Sequence, residues 1–488
     1  MVSWTAFIWV DQPSASAADS TAQLFGEPGA LAQRALLEHA SEAVLKDVTS
    51  RYYDNKQLAE HMHSFAKRCS TIARTFSLGK SVEGQDMWVL EISDHPGEVE
   101  AKPNVKYVAN MHGDEPSGRQ LLLGLAEWLC IHHATDERAK RIVTEMHLYL
   151  LPTINPDGFT HKRRENSGKR DLNRDYPDPI HPPETGLAVS GAEQPETQAV
   201  MKWTLGTHFV AGASMHEGAI VANYPWDGST DQATQYSKSP DDATFKHLAS
   251  VYADAHRSMH ASKQFAGGIT NGAAWYPVFG GMQDWNYLAG GCLELTLELS
   301  EDKWPAEERL PQLWQDNLPA LLAFPIAAAL GGLRGFVHEA PPGTEAGRKL
   351  LKAAPQGKPL PATISVQGID FNVSASATFG DYYRPLAPGQ YTVTASMDGY
   401  APATQVVTVP ADNIGKAVKH ADDLLPAPRL REPAAPSSPV DTTWADLMQR
   451  AMLLVIGIPL MGLGVLQLVR LVRYVGHRGN TARRVPAR

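Results

Sequence analysis

The stretch NVKYVANMHGDEPSGRQLLLGLAEWLCIHHA, residues 104–134, indicates a buried strand, a polar loop and a helix in succession. Two further segments, EMHLYLLPTINPDG at 145–158 and GGCLELTLELS at 290–300, also resemble apolar strands that run into or out of loops. Strands that alternate with helices predict an α/β domain with a mixed, largely parallel twisted sheet flanked by helices. In such sheets functional side chains gather where the strands end in loops.

Composition limits the classes of protein to consider. A chain of 488 residues exceeds what one hydrophobic core supports, so we expect at least two domains. The net charge of −9 argues against a general phosphate-binding surface and therefore against nucleic acid as a partner. The three cysteines, Cys69, Cys130 and Cys292, allow at most one disulfide within the chain and leave the redox compartment open.

The C-terminal half changes character after residue 331. Residues 332–412 contain short runs rich in Val, Thr, Ile and Tyr, separated by Gly, Pro and Asp, which predict a small antiparallel β-sandwich. The sequon at Asn372 is a possible glycosylation acceptor. Residues 413–443 are rich in Pro, Ala and Ser and predict an extended stalk.

The two ends carry targeting signals of unequal strength. MLLVIGIPLMGLGVLQLV at 452–469 predicts a transmembrane helix, with a buried core helix as the alternative. The arginine-rich segment 470–488 then predicts a cytosolic tail, which places the rest of the chain on the lumenal or extracellular side. Residues 1–19 resemble a weak signal segment without a basic start, and 20–48 a helical extension.

His112 and Glu115 follow the first strand and are candidates for a metal site. Taken alone, an HxxE pattern is more typical of a solvated helix start. Catalytic zinc commonly binds two histidines and one carboxylate, so a third ligand is needed. GASMHEGAIVANYPWD, residues 212–227, offers His216 at the end of another apolar run.

A basic cluster lies between these candidates. HKRRENSGKRDLNRDYP at 161–177 brings together Arg164, Asn173, Arg174 and further arginines. Guanidinium forks and amide donors suit the recognition of a carboxylate, although a solvated basic loop is the plain alternative. Near a metal site, such a cluster predicts an anionic substrate group such as a polypeptide's terminal carboxylate.

Five motifs in order carry a family resemblance: HGDE with His216, LLPTINPDGF, GKRDLNRDYP, ITNGAAWYPVFGGMQDWNYL and LELTLELS. Together they resemble the zinc metallocarboxypeptidases of the M14 family, in particular the regulatory subfamily of carboxypeptidases N, E, M and D. The resemblance runs from about residue 50 to 410. It implies a catalytic domain at 49–331, a transthyretin-like β-sandwich at 332–412 and one Zn²⁺ per chain.

The resemblance also implies a role for each matching residue. His112, Glu115 and His216 correspond to the zinc ligands. Glu298 corresponds to the general base, although an exposed acid on an alternating strand is the alternative from the residue pattern alone. The remaining implied roles are stabilisation of the oxyanion by Arg164, and binding of the C-terminal carboxylate by Asn173 and Arg174 with Tyr276 closing over it.

Specificity is implied by two further matches, Asp227 and Gln283, which line the pocket for the leaving side chain in this subfamily. A buried carboxylate favours a cationic side chain, so we expect release of a C-terminal Arg or Lys; a turn aspartate before Gly228 is the alternative. Glu217 departs from the glycine usual in the subfamily. The competing functions are a silent peptide-binding module, a zinc amidase or deacylase, and a carboxypeptidase of other terminal specificity.

Overall fold

The computed structural model describes residues 41–339 and 357–411, together with the backbone of the short strand Val418–Lys419. Its centre is an eight-stranded sheet in the order β1-β2-β4-β3-β5-β8-β6-β7. The strands β3, β4, β5 and β8 pair in parallel, β6 pairs in parallel with β7, and the remaining pairs are antiparallel. The strands are β1 Ala73–Lys80, β2 Asp86–Ile92, β3 Asn104–Ala109, β4 His147–Leu151, β5 Phe209–His216, β6 Ala219–Tyr224, β7 Ile269–Asn271 and β8 Leu293–Ser300.

Helices cover both faces of this sheet, which confirms the predicted α/β fold. Successive side chains of a strand point to opposite faces of the sheet. Val105 and Tyr107 of β3 therefore lie in one hydrophobic core, and Val108 lies in another. Every residue of β3 after Asn104 is buried, because both faces of the strand are covered. The one charged residue among them, Lys106, lies 3.4 Å from the buried carboxylate of Glu294. The helices are Asn55–Arg68, Ser117–His132, Glu137–Glu145, Pro156–Thr160, Pro195–Thr207, Asp242–Ala255, Gly272–Trp275, Met282–Leu288 and Leu310–Leu330, and residues 41–48 are also helical.

A disulfide joins Cys69 to Cys130, with their Cα atoms 6.2 Å apart. Cys69 follows helix Asn55–Arg68, and Cys130 lies in the last turn of helix Ser117–His132, so the bond ties two helices together. Cys292 is a buried free thiol. The structure therefore resolves the choice of pairing that the sequence left open.

Strands follow the α/β domain, as the sequence predicts. A four-stranded antiparallel sheet has the order β11-β10-β13-β14, and a three-stranded sheet has the order β12-β9-β15. The predicted arrangement was wholly antiparallel, but β15 pairs in parallel with β9. The strands are β9 Leu333–Phe336, β10 Thr363–Val366, β11 Ile369–Ser374, β12 Asp381–Arg384, β13 Gly389–Ser396, β14 Ala403–Val409 and β15 Val418–Lys419.

The β domain is joined to the α/β domain by buried polar contacts. The Arg384 guanidinium lies 2.9 and 3.0 Å from the two carboxylate oxygens of Asp241, and both side chains are buried. Tyr287 donates a hydrogen bond to Asp241 at 2.9 Å and stacks on Phe371 with ring centroids 4.3 Å apart. The Arg384–Asp241 contact holds β12 against the start of helix Asp242–Ala255, and the stacking of Phe371 on Tyr287 holds β11 against helix Met282–Leu288.

Three sequence predictions fall outside the described residues. They are the stalk at 413–443, apart from β15, the transmembrane helix at 452–469 and the basic tail at 470–488. The weak signal segment and most of the N-terminal extension lie outside as well. Among the helices of residues 41–339 and 357–411, none is long and apolar enough to cross a bilayer.

Candidate functional site

Three adjacent strands, β3, β5 and β8, bring the candidate site together at the centre of the sheet. His216 is the last residue of β5, and Glu298 is its direct partner on β8. His112 and Glu115 lie in the loop that follows β3, which pairs in parallel with β5. The carboxyl ends of parallel neighbours share one sheet edge, so residues distant in sequence meet there.

The loop after β3 is held in shape by Asn110 and Gly113. Asn110 adopts a left-handed φ of 55°, and its Nδ2 donates to the carbonyl oxygens of His112 and Glu115 at 2.8 and 3.2 Å. A Cβ on Gly113 would lie 2.0 Å from the carbonyl carbon of Gly158, so only glycine fits there. These contacts aim the side chains of the HGDE motif toward β5.

The potential metal-binding atoms of three side chains lie close together, those of His112, Glu115 and His216. Glu115 Oε2 lies 3.0 Å from His112 Nδ1 and 2.9 Å from His216 Nδ1, and the two Nδ1 atoms are 3.1 Å apart. Ligands about 2.0–2.2 Å from one tetrahedral zinc ion are spaced about 3.3 Å from each other. All three side chains are buried, and the set of two imidazoles and one carboxylate matches a catalytic zinc site.

The outer contacts of both imidazoles also fit a metal site. His112 Nε2 lies 3.1 Å from Oδ1 of Asp171, and His216 Nε2 lies 3.0 Å from the Ser214 hydroxyl. Metal-binding histidines almost always use the second ring nitrogen in this way, which fixes the tautomer and the ring orientation. Lys303 Nζ lies 2.5 Å from Oε1 of Glu115, so the second oxygen of that carboxylate is held as well.

Asp171 links the metal candidates to the basic cluster. Its Oδ2 accepts a hydrogen bond from Arg164 Nε at 2.9 Å, while its Oδ1 faces His112. Burial would raise the pKa of Asp171, but the hydrogen bond with His112 and the charges of His112 and Arg164 outweigh it and lower the pKa. A carboxylate that stays ionised holds the Arg164 guanidinium beside His112 and Glu115.

Glu298 lies on the wall of the same cavity. All eight residues of β8 are buried, so the alternative of an exposed acid on an alternating strand is wrong: β8 is a central strand covered on both faces. Burial, followed by the negative charge of Glu115, raises the pKa of Glu298 to about 8. A carboxyl group with a raised pKa beside a metal site is suited to proton transfer.

The cavity has a volume of about 190 Å³ and gathers nearly every residue that the sequence analysis selected. His112, Glu115 and His216 lie on its wall together with Arg164 and Glu298. Gln283 is the exception, because its side chain lies behind Asp227. The remaining predicted residues on the cavity wall are Asn173, Arg174, Tyr276 and Asp227.

The carboxylate-binding candidates approach the cavity from the loop 161–177. The Asn173 side chain accepts a hydrogen bond from Met282 N at 3.0 Å through Oδ1, which fixes its amide. Arg174 Nη1 donates to its neighbour's carbonyl, Asn173 O, at 2.8 Å. Tyr276 also lines the cavity and is 45% exposed, which leaves its ring accessible to a bound molecule.

Asp227 is buried and surrounded by amides. Asn223 Nδ2 and Gln283 Nε2 donate to its Oδ1 at 2.9 and 3.0 Å, and Asp284 accepts hydrogen bonds from Asp227 N. Burial raises the pKa of Asp227 to about 6, against the lowering effect of the Asn223 hydrogen bond and the charge of Arg174. A Cβ on Gly272 would lie 1.8 Å from Asp227 Oδ1, so the pocket requires glycine there.

Glu217 lies on the cavity wall, and its carboxyl group contacts a helix start. Its Oε1 accepts a hydrogen bond from Ser117 N at 2.6 Å, at the first residue of helix Ser117–His132. Burial, followed by the charge of Glu115, raises its pKa well above the usual range. Glu217 therefore caps the helix that follows Glu115, a position favourable for a carboxyl group.

Sequence reasoning missed four residues of this site. Asp171 lies in the quoted GKRDLNRDYP motif, two positions before Asn173, and could have been found there. Asn223 and Asp284 lie within quoted motifs, but neither residue type marks a site by itself. Their contacts with Asp227 appear only in the structure, and Asp284 is also distant from Asp227 in sequence. Lys303 follows β8 in an ordinary polar loop, and nothing in the sequence marks it as a partner of Glu115.

Known proteins are similar to this chain in sequence and in fold. The zinc carboxypeptidase family matches residues 58–320. Carboxypeptidase SOL1 of Arabidopsis thaliana is 46% identical over 362 residues, which cover 74% of this chain and 70% of the relative. Human carboxypeptidase D is 40% identical over 386 residues, 75% of this chain but 26% of that protein's length. A crystal structure of thrombin activatable fibrinolysis inhibitor has a TM-score of 0.50 at 18% identity, over 58% of this chain and 75% of that chain, and indicates a common fold.

Proposed function

Because the chain belongs to the zinc carboxypeptidase family, M14, and to its regulatory N/E subfamily, we propose that it removes single basic residues, Arg or Lys, from the C-termini of peptides and proteins. The observation that carries the proposal is the common cavity of His112, Glu115, His216 and Glu298. The buried Asp227 on the same wall supports basic specificity.

The chemistry follows from the contacts of these side chains. His112, Glu115 and His216 would hold a zinc ion, which would supply Lewis-acid activation of a water molecule and of the scissile carbonyl. Glu298 accepts the proton of the attacking water and then delivers a proton to the leaving amine. Arg164, held by Asp171 beside the ligands, donates hydrogen bonds to the oxyanion as negative charge develops.

The substrate terminus is positioned by charges on the opposite part of the cavity. Asn173 and Arg174 bind the terminal carboxylate, and Tyr276 covers it. The side chain of the leaving residue extends toward Asp227. There its guanidinium or ammonium group supplies the positive charge that pairs with the buried carboxylate. An acidic side chain there would meet like charge, and an apolar one would leave the carboxylate unpaired. This set of contacts supports a preference for Arg or Lys.

Membership of the subfamily also supports a transthyretin-like classification of the β domain. Its described residues form two sheets around a core of their own, which includes Ile364, Val393 and Val407. We assign no chemistry to this domain. Its contacts through Arg384 and Phe371 support a role in holding the α/β domain.

A peptide-release assay tests the proposed function. Matched peptides that end in Arg, Lys, Phe or Glu are incubated with the zinc-loaded protein, with and without a chelator. We expect chelator-sensitive release of Arg and Lys only, and loss of that release in Glu298→Gln. A folded, zinc-loaded protein that releases none of the four residues would contradict the enzyme proposal and favour a peptide-binding module.

We further propose that the chain is a single-pass membrane protein whose catalytic domain is lumenal or extracellular. The apolar run at 452–469 with its basic flank supports this topology. The Cys69–Cys130 disulfide and the exposed sequon at Asn372 are also typical of the secretory route. Protease protection and glycosidase sensitivity of the full-length chain test the proposal, and cytosolic exposure of the catalytic domain would overturn it.

A further inference from the structure

A second cavity of about 610 Å³ lies beside the catalytic one, and its walls are aromatic. Trp304 stacks on Phe159 with ring centroids 5.4 Å apart and lies 5.7 Å from Tyr52. Lys162 places its ammonium 5.0 Å from the Trp304 ring. We refer to the cavity lined by Tyr52, Phe159, Trp304 and Lys162 as the aromatic groove.

Two chains of contacts join the aromatic groove to the catalytic cavity. Lys303, on the wall of the catalytic cavity, contacts Glu115, and the next residue is Trp304 of the groove. On the other side, the Tyr52 hydroxyl lies 3.3 Å from the Ser117 hydroxyl, and Ser117 N donates to Glu217. The groove therefore meets the cleft next to the candidate metal ligands.

The direction of the substrate places its upstream residues on this side. In the proposed function, Asn173 and Arg174 hold the terminal carboxylate, and the scissile bond lies at Glu115 and the two histidines. A peptide must continue from that bond past the ligands, away from the carboxylate-binding side. Lys303 and Glu217 border the cavity where the groove begins.

The polar groups at the groove are largely engaged within the protein. Glu307 Oε1 accepts a hydrogen bond from Tyr52 N at 2.8 Å, and Asp54 caps helix Asn55–Arg68. Asn55 donates to the carbonyl of Pro156 at 2.8 Å. Phe159 itself is buried, and its ring is covered by Trp304 and by the Arg119 guanidinium, which lies 3.7 Å from the ring centroid. The surface left for a ligand is thus mainly the rings of Tyr52 and Trp304, which suit an aromatic side chain.

We propose that the aromatic groove binds an aromatic side chain of the substrate, located a few residues upstream of the scissile bond. The proposal rests on the proposed carboxypeptidase function and adds a second specificity determinant to the terminal basic residue. An upstream aromatic residue gains stabilisation from burial against Trp304 and Tyr52, whereas glycine at the same position gains none.

The test compares a blocked acyl-Gly-Arg substrate with longer peptides that end in Arg and carry one Phe at successive upstream positions in a glycine background. In the unmodified protein we expect one position at which Phe raises kcat/KM about tenfold over Gly. Trp304→Ala should remove that gain. The quantity measured is the ratio of kcat/KM for the long peptide with Phe at that position to kcat/KM for the short substrate. Trp304→Phe should keep most of the gain.

Trp88 provides a matched control, because it lies on β2 against His63, and Trp88→Ala should leave the ratio as it is. If the unmodified protein gives equal kcat/KM for peptides with Phe and with Gly at every upstream position, that result alone overturns the groove proposal. A ratio unaffected by Trp304→Ala would overturn it as well, while hydrolysis of the short substrate would leave the carboxypeptidase function intact. Failure to hydrolyse either substrate would reject both.

Discussion

His112 Nε2 lies 3.1 Å from one oxygen of Asp171, and the other oxygen of that carboxylate accepts a hydrogen bond from Arg164. One half-buried carboxylate thus orients an imidazole of the candidate metal site and the guanidinium beside it. The proposed zinc binding and the proposed stabilisation of the oxyanion are therefore coupled through Asp171.

Substitution of Asp171 tests this coupling. Asp171→Asn removes the negative charge behind His112, and we expect zinc affinity to fall about 10- to 100-fold. Competition with a fluorescent chelator measures the dissociation constant. Asp175→Asn is the control, because Asp175 contacts Gln194 and Arg170 instead of His112. Equal zinc affinity in both variants would mean that the His112–Asp171 contact has no influence on the metal.

The pH dependence of hydrolysis tests the role of Asp227. Its pKa, raised to about 6 chiefly by burial, means that the carboxyl group takes up a proton as the pH falls through that value. Only the ionised form attracts a cationic side chain, so kcat/KM for Arg-terminated peptides should rise with pH through about 6. This limb is additional to the titration of Glu298, whose pKa is raised to about 8. In Asp227→Asn we expect kcat/KM to fall about 100-fold and this limb to disappear. A limb that persists in the variant would assign the titration to another group.

His256 should make the folding stability depend on pH. Its Nδ1 accepts hydrogen bonds from the backbone N–H groups of Ser258 and Met259 at 3.2 and 3.0 Å, which requires a neutral ring. Burial lowers its pKa from 6.5 to about 4, so the unfolded chain binds more protons than the folded one between these values. Stability should therefore fall as the pH drops from about 6.5 to 4, by up to about 3 kcal/mol from this residue.

Chemical denaturation at a series of pH values measures this effect. His256→Asn retains an acceptor for a backbone N–H group but does not titrate in this range. We expect its free energy of unfolding to change less with pH than that of the unmodified protein. Parallel curves for the two proteins would show that His256 does not contribute to the acid sensitivity.

The ion pair between Arg384 and Asp241 should stabilise the junction of the two domains. Arg384→Met leaves the Asp241 carboxylate buried without its partner, and we expect a loss of about 3–5 kcal/mol in the free energy of unfolding. The double variant with Asp241→Asn should lose less than the sum of the single losses. Arg138→Met, which removes an exposed pair with Asp136, should cost less than about 1 kcal/mol. A comparable small loss for Arg384→Met would contradict a buried, coupled pair.

The sequence predicted much of the site because its motifs are short and contiguous. His112 and Glu115 are three residues apart, and Asn173 and Arg174 are adjacent, so their patterns are recognisable before folding. Glu298 was different: alternation on β8 suggested an exposed acid, and only the family resemblance selected it. The burial of β8 comes from its neighbours β5 and β6 and from the layers above and below, which a local pattern does not contain.

By itself the sequence determined the α/β fold class, the family and the residues grouped at the strand ends, because periodicity and motif spacing are local properties of the chain. Tertiary structure alone decided the pairing of Cys69 with Cys130, the contact of Lys303 with Glu115 and the joining of Tyr52, Phe159 and Trp304 into one groove. Each of these joins residues far apart in sequence, and their distances depend on how the helices and loops pack around the sheet.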